Sequence, residues 1–164
     1  LLSLNRKNRL NYIETILRKS KATRFPSRQA KKLDEILDNP EIIQSGRIVV
    51  LVNLSHTQPY NEVRAKLMEK NPHFRLKSAS DFMIDVGLSH DVIALDTRVG
   101  NILKKHFNLN MDINKVQGNL KVYTSIEQAL RQACEKINIT LAQLDRMLFK
   151  FSGKDAISFI AEDL

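Results

Sequence analysis

Cysteine occurs once in the 164 residues, at Cys134. Neither an intramolecular disulfide nor a cysteine-rich metal site can therefore form. The four histidines, at 56, 73, 90 and 106, show no paired ligand spacing, so no metal and no cofactor is expected. Long apolar runs are absent too, and nothing approaches the length of a bilayer span. The first residues, Leu1-Leu2-Ser3-Leu4, run at once into Asn5-Arg6-Lys7, without the hydrophobic stretch of a signal peptide. An intracellular location with no membrane partner is the expectation. Internal repeats, low-complexity tracts and long linkers are also missing. The chain is long enough for one core, or for two small lobes that share one.

What is present is helical periodicity. Apolar residues recur at Leu10, Ile13, Ile16 and Leu17 within residues 4 to 20. Ser27 is suited to cap a helix carrying Ala30, Leu33, Ile36 and Leu37, and after Pro59 a further helix falls at about 61 to 69. Thr124 with Glu127, and Thr140 with Gln143, match capping boxes and predict helices near 125–137 and 141–150. Cys134 falls among Leu130, Ala133 and Ile137, as a small core residue would. The β-branched run Ile48 to Val52 fits a buried strand as well as a helix, and its helical neighbours favour helix. The fold class expected is all-α.

Charge is concentrated. The net charge is +8, and residues 1 to 34 hold ten Lys or Arg against Glu14 and Asp34, so the remainder sums to zero. Such a segment suits nucleic acid or an anionic membrane surface, since neutralising phosphates releases counterions; a solvated amphipathic helix is the plain alternative.

Two residues carry the chemistry. Ala79, Phe82, Met83 and Val86 repeat at helical spacing and end at Gly87, a natural C-terminal stop, which places Lys77 in the first turn of a helix. The run Val92-Ile93-Ala94-Leu95 looks buried. After it, Val99, Ile102, Leu103 and Phe107 share a helix face, so Asp96 sits at an N-cap. A lysine amine is nucleophilic only when neutral, about one molecule in two or three thousand at pH 7 at its reference pKa. A helix N-terminus and partial burial both disfavour the ammonium form. A carboxylate in the same site serves another step, moving a proton or facing a cation that develops on a sugar. The plain readings are a solvated lysine and an ordinary cap.

The segment Lys77-x-Ala79-Ser80-x-Phe82, ending at Gly87, resembles the hairpin and following helix of the helix-hairpin-helix DNA glycosylases, archaeal-type 8-oxoguanine glycosylases more than endonuclease III. Ile93-Ala94-Leu95-Asp96-Thr97-Arg98-Val99 is similar to that family's aspartate segment at the family's separation. Val50 to Gln58 resembles the helix and loop that enter the minor groove, and Leu144-Asp145 followed by Phe149 resembles a stretch where Trp is usual. The family's hairpin glycines are replaced by His73 and Arg75.

The resemblance implies a two-lobed helical fold with a central DNA-binding groove, one lobe at 46–117 and the other formed by 1–45 with 118–164. It implies base-excision repair of double-stranded DNA, in the cytoplasm, nucleoid or nucleus. A damaged base, an oxidised purine such as 8-oxoguanine, would be removed through a Lys77 Schiff base with AP-lyase activity, assisted by Asp96. Ser55, His56, Gln58, His73, Arg75, Arg98, Lys104 and Lys105 would contact DNA, and Phe149 would stack on the base or else lie in the core. The four-cysteine iron-sulfur cluster common in endonuclease III relatives cannot be built. A non-catalytic DNA-binding or scaffold protein that keeps the fold is the alternative.

Overall fold

The computed structural model of the protein describes residues 3–45, 47–49 and 58–150. Contacts group them into two compact units, one within Leu1–Ser55 and Glu69–His73, the other within His56–Met68 and Phe74–Leu164. Residues 118–150 group with 74–117 because Tyr123, Glu127 and Asp145 hold the buried segment 92–95 by hydrogen bonds.

In the first unit, α1 (Arg6–Ser20) starts at Asn5, whose side chain accepts the Asn8 amide, and stops at Lys21, left-handed at φ 52°. Helix α2 (Pro26–Leu37) begins at a proline, whose missing N–H is no loss in a first turn. Ser27 is therefore inside the helix rather than its cap, and its hydroxyl donates to Glu14 of α1 at 2.8 Å. Between the helices Asp34, fully buried, accepts from Arg9 at 2.5 Å and Arg6 at 3.0 Å, while Arg9 also donates to Asp38 at 2.6 Å. Burial pushes the Asp34 carboxyl up, but the two guanidinium groups outweigh it and hold the group below the usual range.

A short antiparallel pair follows, β1 (Ile43–Gln44) with β2 (Arg47–Ile48), Ile43 opposite Ile48. The helix expected from Ile48 onward is thus corrected at its start, where β-branched residues take the pleated conformation. Residues 50–57 lie outside the described residues.

The second unit holds most of α3 (Tyr60–Lys70), then α4 (Leu76–Asp85), α5 (Thr97–Phe107), α6 (Ile113–Gln117), α7 (Leu120–Lys136) and α8 (Leu141–Lys150). Its core gathers Leu76, Ile93, Leu95, Val99, Leu103, Val116, Tyr123, Cys134, Leu141 and Leu148. Each such burial contributes about 1.5–3 kcal/mol. Helix α8 opens with the expected reciprocal box: the Thr140 amide donates to Gln143 at 2.8 Å and the Gln143 amide to Thr140 at 3.1 Å.

The box expected at Thr124 is not formed. Helix α7 starts a turn earlier, capped by Asn119, so Thr124 turns its hydroxyl to the Leu120 carbonyl. Glu127 instead lies in the interior, where Arg64 donates to both its oxygens at 2.8 and 2.9 Å, and to Ser80 at 3.0 Å. Among the described residues the regular structure is helical apart from the small β pair, the all-α class expected.

Candidate active site

Helices α3 and α4 are joined by five residues, Asn71 to Arg75, and neither substituted glycine position needs a left-handed backbone. Arg75 is extended at φ −126°, and its N–H donates to Ser78 at 2.9 Å, which sets the first turn of α4. Across this start Phe74 packs on Phe82 with ring centroids 5.2 Å apart. His73 donates its backbone N–H to Asn71 at 3.0 Å and puts Nε2 2.7 Å from Glu35 of α2. At the far end Gly87 takes φ +70° and the Leu88 amide donates back to Met83 at 2.8 Å, the expected stop.

Lys77 is the second residue of α4. Its ammonium donates to Asp81, one turn on, at 2.9 Å, with about a third of each side chain exposed. The other Asp81 oxygen lies 3.6 Å from Arg146 of α8, which also pairs with Asp85.

Asp96 caps α5 as the sequence implies, accepting the Arg98 and Val99 amides at 2.9 and 3.2 Å. The Arg98 side chain donates to the second carboxylate oxygen, through Nε at 2.6 Å. Burial raises the Asp96 pKa. The Arg98 side chain and the Val99 amide outweigh it, so the group stays ionised below the usual carboxylate range. The same Arg98 guanidinium lies 4.3 Å above the Phe149 ring, and Phe149 is 58% exposed, not a core residue.

Asp96 is aimed by a segment that is neither helix nor sheet. Residues 92–95 are fully buried, and their backbone groups are satisfied by side chains from three helices. The Ile93 amide donates to Glu127 at 3.3 Å, the Ala94 amide to Asp145 at 2.9 Å and the Leu95 amide to the Tyr123 hydroxyl at 3.1 Å. Tyr123 in turn donates to the Ile93 carbonyl at 2.7 Å, and Gln117 donates to the Leu95 carbonyl at 2.8 Å. Burial pushes Tyr123 up to about 12, so it keeps the proton it donates.

Asp145 is the functional candidate that sequence reasoning did not single out. It is 3% exposed, and among the described residues its Oδ2 has no hydrogen-bond partner; Arg146 at 3.6 Å is an ion-pair neighbour too distant to donate. Burial raises its pKa, the Ala94 amide opposes this, and Arg146, Asp81 and Arg98 all act on it electrostatically. Lys77 and Asp96 therefore make no ion pair with each other. Lys77 pairs with Asp81 and Asp96 with Arg98; Arg146 lies 3.6 Å from both Asp81 and Asp145, and Asp145 is within electrostatic reach of Arg98.

The remaining sites are dispersed. Lys104 and Lys105 are exposed in the last turn of α5, where cations suit the helix dipole, about 12 Å along the axis from Asp96. Gln58 is partly buried with an unsatisfied Oε1, and Ser55 and His56 lie outside the described residues.

No curated protein and no solved structure matches the chain. The family model described as 8-oxoguanine DNA glycosylase matches residues 4–139, a span that includes Lys77 and Asp96 and ends before α8. With most of its length matched, the chain belongs to this family of helix-hairpin-helix DNA glycosylases.

Proposed function

We propose that this DNA glycosylase removes an oxidised purine, 8-oxoguanine being the first candidate, and cleaves the strand through a Schiff base on Lys77. The observation that carries the reading is a lysine at a helix start, paired with Asp81, together with a helix-capping Asp96 paired with Arg98, while Arg146 lies 3.6 Å from both Asp81 and the buried Asp145.

The chemistry follows from those groups. Lys77 passes its proton to Asp81 or solvent and attacks the sugar's anomeric carbon; the glycosidic bond breaks and the base leaves with its electron pair, taking up a proton. Ring opening gives the Schiff base, and loss of a proton from the adjacent carbon expels the 3′ phosphate. Asp96, held ionised by Arg98, opposes the positive charge that grows on the sugar. It suits this electrostatic part better than proton donation, because its bonds to Arg98 favour the charged form. Asp145, with a raised proton affinity and an unbonded oxygen, is the better proton carrier of the two. Phe149 offers an exposed ring to an extruded base. A DNA partner implies action inside the cell.

The test is borohydride reduction on duplex DNA carrying an abasic site or 8-oxoguanine. A covalent adduct with the wild type and none with Lys77→Ala is the expected result. Duplex binding with no adduct from the wild type would overturn the lyase reading and leave the non-catalytic DNA-binding protein, for which the replacement of the hairpin glycines by His73 and Arg75 speaks.

A further inference from the structure

The α1–α2 hairpin has used up its acids. Asp34 and Asp38 are taken by Arg6 and Arg9, Glu14 by Arg18 and Ser27, and Glu35 lies on His73. Among those left over are Lys21 and Arg24 in the connecting turn, and Arg28, Lys31 and Lys32 on α2. None of these five side chains makes an ion pair or a hydrogen bond among the described residues. Arg28, Lys31 and Lys32 follow at i, i+3 and i+4, away from the buried Ala30 and Asp34. Lys31 lies within electrostatic reach of Glu14, which ties this face of α2 to the adjoining face of α1. The first unit as a whole carries twelve Lys or Arg against six Asp or Glu, whereas the second carries fourteen against twelve. Like charges so crowded repel one another, and a polyanion relieves that repulsion.

We propose that this face of the α1–α2 hairpin is a second DNA-backbone surface, one that holds undamaged duplex by its phosphates without reading sequence and takes no part in the chemistry at Lys77. The inference rests on the glycosylase reading only for its choice of partner: an anionic membrane would suit the same charges, and duplex DNA is the polyanion that a member of this family must meet. Lysines and arginines without fixed partners among the described residues suit binding to phosphates, which positions a protein and carries no base code.

The test compares wild type with the triple variant Arg28→Gln, Lys31→Gln, Lys32→Gln and with the charge-keeping Arg28→Lys. Binding of an undamaged duplex is followed by fluorescence anisotropy across a salt series. The triple variant should flatten the plot of log affinity against log salt by about 2–3, near 0.9 for each phosphate no longer neutralised, and bind about ten-fold or more weakly at low salt. Arg28→Lys should keep the wild-type slope. The rate of borohydride trapping at saturating abasic duplex should be the same in all three proteins. An unchanged slope in the triple variant overturns the surface. So does loss of binding to phosphatidylserine vesicles without change on DNA. A flattened slope in a protein that forms no adduct upholds the surface and overturns the lyase reading alone.

Discussion

One carboxylate at position 96 both starts a helix and holds a cation, and an amide in its place separates the two roles. Asparagine still accepts the Arg98 and Val99 amides, so Asp96→Asn should change stability by less than about 1 kcal/mol in thermal unfolding. Single-turnover base release should nevertheless fall by about 10²–10³, since the charge opposing the sugar cation is gone. Activity within a few-fold of wild type would remove Asp96 from the mechanism. Its depressed pKa also sets a sign: the stability it adds is present above the unfolded value near 3.9 and is lost as pH falls through the lower folded value. Asp145 has the reverse sign. Its raised pKa penalises the folded state increasingly as pH climbs from the unfolded value to the raised folded one, fully above that, and not at all below the unfolded value. Asp145→Asn, which can still accept the Ala94 amide, should therefore raise the melting temperature at pH 7 and not at pH 3. Each unit of elevation corresponds to about 1.4 kcal/mol; a loss of stability at pH 7 would contradict the assignment. The helix-start positions of Lys77 and Asp96 were legible at this scale because helix starts have a composition of their own. Asp145 was not singled out, although its signal was there, an acid on the same helix face as Leu141 and Leu148. Arg98 was read for its charge, and its hold on Asp96 depends on a rotamer that sequence spacing does not specify.

Among the elements, α4 owes its sharp end to Gly87. No atom would touch an added Cβ there, so the cost of Gly87→Ala is conformational alone, about 1–2 kcal/mol for a left-handed alanine, measurable by denaturant unfolding. A neutral substitution would mean that the turn rearranges. The segment before α5 depends on α7 more heavily. Tyr123→Phe leaves the Leu95 amide and Ile93 carbonyl without their side-chain partner and should cost about 1–3 kcal/mol. Glu127→Ala strands the buried Arg64 guanidinium and should cost about 3–5 kcal/mol. Equal effects of the two would show that the ion pair adds nothing to the clamp. Helix α7 also shows where reading by motif went astray. Thr124 and Glu127 have the spacing of a cap, but Asn119 begins the helix earlier and the interior claims the glutamate, because Arg64 arrives from a helix some sixty residues away in the chain. Thr140 and Gln143 have the same spacing and do form the cap, with α8 starting directly after them. Local pattern is a reliable guide only where no distant partner competes. The strand at Ile48 is a different case, since its partner Ile43 lies only five residues back in the chain.

For the whole molecule, helical class and family were legible because both rest on many positions at once, periodicity on one hand and the matched span on the other. The grouping into units depends on which helices contact which, something periodicity does not specify, and Tyr123, Glu127 and Asp145 join 118–150 to the centre of the chain. Cys134 offers a measure of the second unit's integrity. It is buried, and burial pushes its thiol pKa up, so a thiol reagent should label it at least about 100-fold more slowly in native buffer than in denaturant. Rapid native labelling would show that α7 opens readily.

The clamp on residues 93–95 has a consequence for isotope exchange. Three consecutive amides, outside any helix or sheet, donate to a glutamate, an aspartate and a tyrosine from two different helices. A deuteron on any of them can escape only when α7 or α8 lets go, so this stretch of coil should exchange as slowly as the deepest helical amides, and its three clocks should run together.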